Sequence, residues 1–187
     1  METKYLEEGW KKLREPKNIV LSMILSIPLM LFLGIITVII IKTFSTFTMK
    51  DLGFTNEGFM LSINIPIILS FFVLIYIHEI LHLLLVPNFM KSNKTFLGIT
   101  WFGGFAYTEE EISRNRFLVI SMLPFFIISI IFPFLLNLFG MLTTSIKVIS
   151  ILNALSSCVD LLNFIIVVFQ VPKGSNMVMS GQATYYK

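Results

Sequence analysis

The chain has 187 residues, of which 56% are hydrophobic and only 13% are charged, and its mean hydropathy is +0.85. A soluble domain carries about 25% charged residues. The composition therefore excludes an ordinary soluble enzyme and predicts an integral membrane protein, with residues 1–187 forming a single membrane-embedded domain. The net charge of +3 gives no reason to expect nucleic acid as a partner.

The first element is residues 1–17, which mix charged side chains with Tyr5 and Trp10. That pattern predicts a short helix lying at the membrane interface. The next elements are stretches long and apolar enough to cross a bilayer, which takes about 20 residues. There are four of them, at roughly 19–41, 59–86, 117–138 and 146–171. The first has a long apolar core and no small-residue cleavage site, so we expect it to remain as a transmembrane helix rather than a cleaved signal.

A different pattern separates the second and third stretches. Residues 94–108 (KTFLGITWFGGFAYT) loosely alternate Thr, Phe, Ile, Trp and Tyr around Gly98 and the Gly103–Gly104 pair, which predicts a β-hairpin. After the fourth stretch, residues 172–187 are expected to form a short polar tail. The predicted fold is an all-α membrane protein, with about four transmembrane helices and a short cytoplasmic β-hairpin between helices two and three.

The distribution of Lys and Arg predicts the orientation in the cell membrane. Eleven of the fourteen lie before the first span, between spans two and three, or after span four, whereas the opposite side has only Lys42, Lys50 and Lys147. We therefore expect a multi-pass protein with both termini and the 87–116 loop in the cytoplasm.

The motif that carries chemistry is His78-Glu79-Ile80-Leu81-His82, which contains the only two histidines of the chain. Residues four apart on a helix lie on one face, so both imidazoles can reach one metal ion. Glu79 can then act as general base on a water molecule at that metal. This is the HExxH arrangement of zinc hydrolases, and other divalent metals are compatible with the same ligand types.

A catalytic zinc usually has three protein ligands and one open position, so a third ligand is needed. Asp160 is the only acidic residue within the spans besides Glu79, and a carboxylate placed in a membrane is costly and functional by default. Counting about 1.5 Å per residue puts it at a depth close to that of the two histidines. Cys158 is the alternative ligand, although a buried, inert thiol is its simpler interpretation.

Asp160 belongs to a stripe of four polar residues on one face of the fourth span. Successive members are 3, 4 and 3 residues apart, at Asn153, Ser156, Asp160 and Asn163. Asn153 is predicted either to stabilise an oxyanion or to make an interhelical hydrogen bond. Ser156 and Asn163 are expected to pack or to support the metal ligands.

Several segments resemble a family of small bacterial membrane proteins described as putative zincin peptidases, distantly related to the site-2 proteases. They are HEILH at 78–82, NALSSCVD at 153–160, the stretch EEISRNRFLVISMLP that ends at Pro124, and VPKGS at 171–175. The similarity spans most of the chain from residue 60 onward. It implies Asp160 as the third zinc ligand, with Asn153 as the asparagine that precedes it. Leu161 stands where site-2 proteases commonly have Gly, and the prolines of their motif are missing.

The resulting hypothesis is an intramembrane zinc metalloprotease that cleaves transmembrane or membrane-associated peptides near the cytoplasmic face. His78, His82 and Asp160 would bind Zn²⁺, Glu79 and Asn153 would be catalytic, and Gly98, Gly103 and Gly104 would contact an extended substrate by strand addition. Two alternatives remain. One is a non-catalytic metal-binding membrane protein, such as a transporter accessory or an immunity factor, and the other is a metal transporter. The sequence does not fix the oligomeric state.

Overall fold

Helices dominate the computed structural model, which describes residues 9–55, 58–59, 65–100, 103–180 and 183–187. The α-helices among these residues are α1 (Ile19–Phe44), α2 (Ile65–Leu84), α3 (Arg114–Pro124), α4 (Phe132–Leu138), α5 (Thr144–Ser156) and α6 (Cys158–Gln170). A 3-10 helix occupies Met49–Leu52, and a π-helical turn, Phe125–Ile131, joins α3 to α4. Side chains cap the first turns, as at α1, where Asn18 Oδ1 accepts the backbone N–H of Leu21 at 2.8 Å.

Two helical segments in the described part are long and apolar enough to cross a membrane, namely α1 and the continuous run Arg114–Leu138. The stretch expected as a single span over 146–171 is instead two helices, α5 and α6, bent by 41°. This pair would make a third span. The apolar part of α2 described here, Leu69–Leu84, is shorter, and residues 60–64 of the expected second span lie outside the described residues. The count of four spans therefore stays a prediction.

The polar tail expected at 172–187 contains two paired strands, which were not predicted from the sequence. Strands β7 (Asn176–Ser180) and β8 (Ala183–Tyr186) pair antiparallel. Two further strands, β1 (Lys11–Lys12) and β6 (Ile112–Ser113), extend this pair to a sheet with the order β1-β8-β7-β6. Residues 1–8 of the expected interfacial helix lie outside the described residues, and the described remainder contains a strand.

An apolar cluster joins this sheet to the ends of the helices. Met177 is 1% exposed and packs with Leu13 and Ile112 of the sheet region, Leu83 of α2 and Val171 at the end of α6. A buried side chain on a strand needs another element packed over that face of the sheet, and the ends of α2 and α6 cover the face on which Met177 lies. The sheet therefore holds the segments around Leu13 and Met177 against the helices that carry the HEILH motif and Asp160.

Arg114 aligns α3 with α6. Its Nε donates to the carbonyl of Val171 at 2.8 Å, and its Nη2 donates to the carbonyl of Val168 at 3.3 Å. The last carbonyls of a helix have no partner within the helix, so the buried guanidinium satisfies two of them. The start of α3 is thereby fixed at the end of α6.

The segment expected as a β-hairpin contains two paired strands, β4 (Thr95–Thr100) and β5 (Gly103–Thr108). Their register runs from Thr95 opposite Thr108 to Thr100 opposite Gly103. Strand β5 packs against α2, so the hairpin lies over the helix that carries the HEILH motif. Its cytoplasmic placement stays a prediction. A smaller hairpin, β2 (Phe54–Thr55) and β3 (Gly58–Phe59), lies in the loop after α1.

Candidate metal centre

The two histidines lie one turn apart on α2 and face the same point. Nε2 of His78 and Nε2 of His82 are 3.2 Å apart, and the two rings meet edge to face with centroids at 5.0 Å. His78 is 7% exposed and His82 is mostly buried. The i, i+4 spacing of the motif accounts for this arrangement because such residues are neighbours on a helix surface.

The protonation of both rings follows from what their Nδ1 atoms contact. His82 Nδ1 lies 2.9 Å from the carbonyl oxygen of Ile120 on α3, which can only accept, so Nδ1 carries the proton. His78 Nδ1 lies 2.9 Å from Asn153 Oδ1 on α5. The amide nitrogen of Asn153 donates to the carbonyl of Pro124 at 3.1 Å, which orients the amide with its oxygen toward His78. In this arrangement Nε2 is the ring nitrogen that each imidazole has available for a metal, and both Nε2 atoms face the same point.

Asp160 brings its carboxylate to this point from α6. Its Oδ2 is 3.2 Å from His78 Nε2, and its Oδ1 is 3.4 Å from His82 Nε2. Asp160 lies in the first turn of α6, where the helix dipole favours a negative charge. Its side chain keeps 20% of its surface exposed, so the cluster is approachable from one side.

The break between α5 and α6 explains how Asn153 and Asp160 both reach α2. The carbonyl of Asn153 accepts hydrogen bonds from Ser156 Oγ at 2.8 Å, from Ser157 Oγ at 2.9 Å and from the Ser157 N–H at 3.0 Å. Serine hydroxyls that bond back to a helix carbonyl bend helices. The bend at Ser157 directs the end of α5 to His78 and the first turn of α6 to the Nε2 atoms.

These residues fit a zinc ion. Atoms bearing lone pairs repel one another when nothing positive lies between them, and here two Nε2 atoms and a carboxylate converge. In a tetrahedral site with zinc–ligand distances of about 2.0–2.1 Å, neighbouring ligand atoms lie about 3.3–3.4 Å apart. The separations of 3.2, 3.2 and 3.4 Å match that spacing. Two imidazoles and one carboxylate are also a donor set of catalytic zinc sites.

Both amide hydrogens of Asn153 are engaged in the described contacts, so the oxyanion role expected as one possibility has no free N–H there. Asn153 is fully buried, and its Nδ2 donates to the carbonyl of Pro124 and to Ser129 Oγ, the latter at 2.9 Å. The alternative, an interhelical hydrogen bond, describes the structure. The contact to His78 makes Asn153 a residue that orients a candidate metal ligand.

Glu79 lies beside the cluster, under the hairpin. A methyl group added at Gly104 would lie 2.7 Å from Glu79 Oε1, inside van der Waals contact. Only a residue without a side chain therefore lets β5 approach the glutamate this closely. Gly98 and Gly103 pair with Phe105 and Thr100 in the hairpin ladder, and the described contacts place neither of them at the histidines.

Two other residues singled out in the sequence, Cys158 and Ser156, make their described side-chain contacts away from the metal cluster. Cys158, the alternative ligand, donates its Sγ hydrogen to Ser26 Oγ of α1 at 3.3 Å, on a different side of the helix pair. Ser156 bonds only to its own helix in the described contacts.

Three groups that support the site were not identified from the sequence. Two are the carbonyl oxygens of Ile120 and Pro124, which belong to the backbone and leave no signal in the side-chain pattern. Ser129 was missed too, although a serine within the run FFIISIIF was a signal.

Removing either type of ligand should release the metal, whereas removing the thiol should not. We expect the detergent-purified protein to hold about one zinc per chain, and Asp160→Ala and His78→Ala to hold little, because two ligands do not retain the ion. Mass-spectrometric metal analysis measures this. Cys158→Ala is the matched control, two residues from Asp160, and it should keep its zinc. Loss of zinc in Cys158→Ala with retention in Asp160→Ala would assign the third ligand to sulfur.

Comparison with known proteins places the chain in a family. Residues 71–176, more than half of the chain, match the family described as "Putative zincin peptidase". The matched segment contains the HEILH motif, the hairpin, Asn153 and Asp160. No curated protein and no solved structure matches the chain. The chain belongs to the putative zincin peptidase family, which implies zinc as its metal.

Proposed function

We propose that this protein is an intramembrane zinc metallopeptidase of the site-2-protease type. The observation that carries the proposal is the convergence of His78 Nε2, His82 Nε2 and the Asp160 carboxylate, with Glu79 on the same helix beside them. Family membership supports a metallopeptidase, and the two helices of membrane-spanning length support a site within or next to the bilayer.

Each residue of the site has a role in peptide hydrolysis. His78, His82 and Asp160 hold the zinc, which when bound supplies Lewis-acid polarisation of a peptide carbonyl and activates water at neutral pH. Glu79 takes the proton from the attacking water and passes it to the leaving amine. Burial of the histidines excludes other water from the ligands, and the exposed side of Asp160 leaves an approach for the peptide.

A non-catalytic metal site is the main alternative, and the donor count argues against it. Structural zinc sites are closed by four protein ligands, whereas catalytic sites keep one position open. Among the described residues, three side chains converge as candidate ligands. Glu79, the ionisable residue next to them, corresponds to the glutamate that zincins use as general base. A structural site needs no such glutamate. A metal transporter would need a continuous polar path, which zinc flux into proteoliposomes would reveal.

The substrates that fit this site are single-span proteins, signal-peptide remnants and other membrane-associated peptides, cleaved near the cytoplasmic face. The placement rests on the excess of Lys and Arg expected on that side. A helical substrate hides its carbonyls in its own hydrogen bonds, so it must be extended before cleavage. The hairpin supports this step because β5 lies directly on Glu79, and a strand added to the hairpin would present its carbonyls close to the metal.

Glu79→Gln separates a peptidase from a metal-binding protein. We expect the variant to keep its zinc, since Glu79 is not a ligand, and to lose cleavage by at least about a hundredfold, since general-base catalysis contributes about 10²–10⁴. Proteomic mapping of new protein termini in membranes of cells producing wild type or Glu79→Gln measures this. Termini within or beside transmembrane segments should appear with the wild type alone. Identical termini in both, with zinc bound in both, would contradict the peptidase.

Gly104→Ala tests the contact of the hairpin with the catalytic glutamate. The added methyl group must displace Glu79 or lift β5, so we expect cleavage of a substrate found by terminus mapping to fall at least about tenfold, with zinc content unchanged, because a small displacement of a catalytic group is costly. Phe96→Ala is the control, since Phe96 is on the same hairpin, 51% exposed, and contacts Tyr107. Wild-type cleavage by Gly104→Ala would show that this contact is not part of the active arrangement.

A further inference from the structure

The long helical segment after Arg114 contains one departure from α-helical geometry, and it lies at the metal centre. Phe125–Ile131 is a π-helical turn that begins directly after Pro124. Turns of this kind occur frequently at functional sites. The turn lies between two apolar α-helical pieces, and its buried polar side chain is Ser129, which has no exposed surface.

The π-helical turn places Pro124 and Ser129 on the same face of the helix. Five residues of an α-helix rotate through about 500°, which would separate these two positions by about 140°. A π-helix bonds residue i to residue i+5 and so stacks residues five apart. As a result, the carbonyl of Pro124 and Oγ of Ser129 both reach the amide nitrogen of Asn153, at 3.1 Å and 2.9 Å.

These two acceptors determine the orientation of Asn153. Each receives one of the two hydrogens on Nδ2, so the amide cannot turn over without losing both hydrogen bonds in a fully buried place. Its Oδ1 then faces His78 Nδ1 at 2.9 Å. An oxygen at this position accepts the Nδ1 proton and leaves the Nε2 lone pair available for a metal.

We propose that Ser129, presented by the π-helical turn, is a positioning residue for the metal ligand His78 and acts through Asn153. The second metal-ligating histidine has an independent support, because its Nδ1 bonds to the Ile120 carbonyl. Loss of Ser129 should therefore loosen His78 and leave His82 unchanged. The proposal rests on the metal binding of the proposed function, but the state of the His78 ring can be measured without metal.

The first experiment measures zinc affinity by chelator competition for the purified protein and for Ser129→Ala. Groups that support a metal ligand typically affect metal affinity 10–100-fold. Ser129 acts on the ligand His78 through Asn153 rather than directly, so we expect zinc affinity to fall by about three- to tenfold. Ser121→Ala is the matched control, since Ser121 is also buried and also within the Arg114–Leu138 segment, but its Oγ bonds to the Phe117 carbonyl at 3.0 Å. It should keep the wild-type affinity.

A double-mutant cycle tests whether Ser129 acts through Asn153. In an Asn153→Ala background, Ser129→Ala should produce no further loss of zinc affinity, because the amide that transmits its effect is gone. Losses that simply add in the double variant would overturn the proposal. Ser129→Cys nearly keeps the volume of the side chain with a weaker hydrogen-bonding group, so it covers the case in which Ser129→Ala does not fold. Wild-type affinity and a wild-type His78 ring in Ser129→Cys would also overturn it.

The second readout is the tautomer of each ring, from the ¹⁵N shifts of histidine-labelled, metal-free protein purified without a histidine tag. The chain contains two histidines, so four ring nitrogens are expected, and the His82→Ala spectrum assigns them. The proposal requires a protonated Nδ1 on His78, with shifts that change in Ser129→Ala while those of His82 do not. An Nδ1 without a proton on wild-type His78, or no change in Ser129→Ala, would contradict it. If the wild type binds no zinc, the proposed function fails, and this tautomer result still decides the role of Ser129.

Discussion

Two imidazole N–H groups, each donated to an acceptor on a different helix, determine the chemistry of this protein. The acceptors are Asn153 on α5 for His78 and the Ile120 carbonyl on α3 for His82. Each fixes the tautomer of its ring and directs the Nε2 lone pair to a point that Asp160 reaches from α6. A site supported by three helices around α2 depends on their alignment. Contacts such as Arg114 with the end of α6 therefore matter to the metal centre although they lie outside it.

Irregular backbone occurs where the site needs it. The bend at Ser157 and the π-helical turn after Pro124 each bring polar groups together that a straight α-helix would direct elsewhere. In an apolar surrounding an unpaired polar group is expensive, so such features persist when neighbouring side chains satisfy them. The serine hydroxyls at the bend and the amide of Asn153 at the π-helical turn do so.

The sequence predicts the parts of this site that depend on local spacing and on charge. His78 and His82 could be placed on one face because residues four apart are neighbours on any helix, and Asp160 stood out as a carboxylate in an apolar stretch. The role of Asn153 could not be decided, because its partners are a backbone carbonyl and a serine that only tertiary packing brings near. The β7–β8 hairpin was missed because its sequence resembles a polar tail. Its stability depends on the burial of Met177 by Leu13, Ile112 and the helix ends, which the sequence does not show.

Zinc K-edge X-ray absorption on the zinc-loaded protein tests the central claim most directly, because it reports the ligand atoms without a substrate. The account predicts a four-coordinate site with nitrogen and oxygen ligands at about 2.0–2.1 Å, including the outer-shell scattering of two imidazoles, and no sulfur. A zinc–sulfur distance of about 2.3 Å, a site with one imidazole, or a metal surrounded by oxygen alone would contradict it. Any of these results would mean that His78, His82 and Asp160 do not hold the metal together.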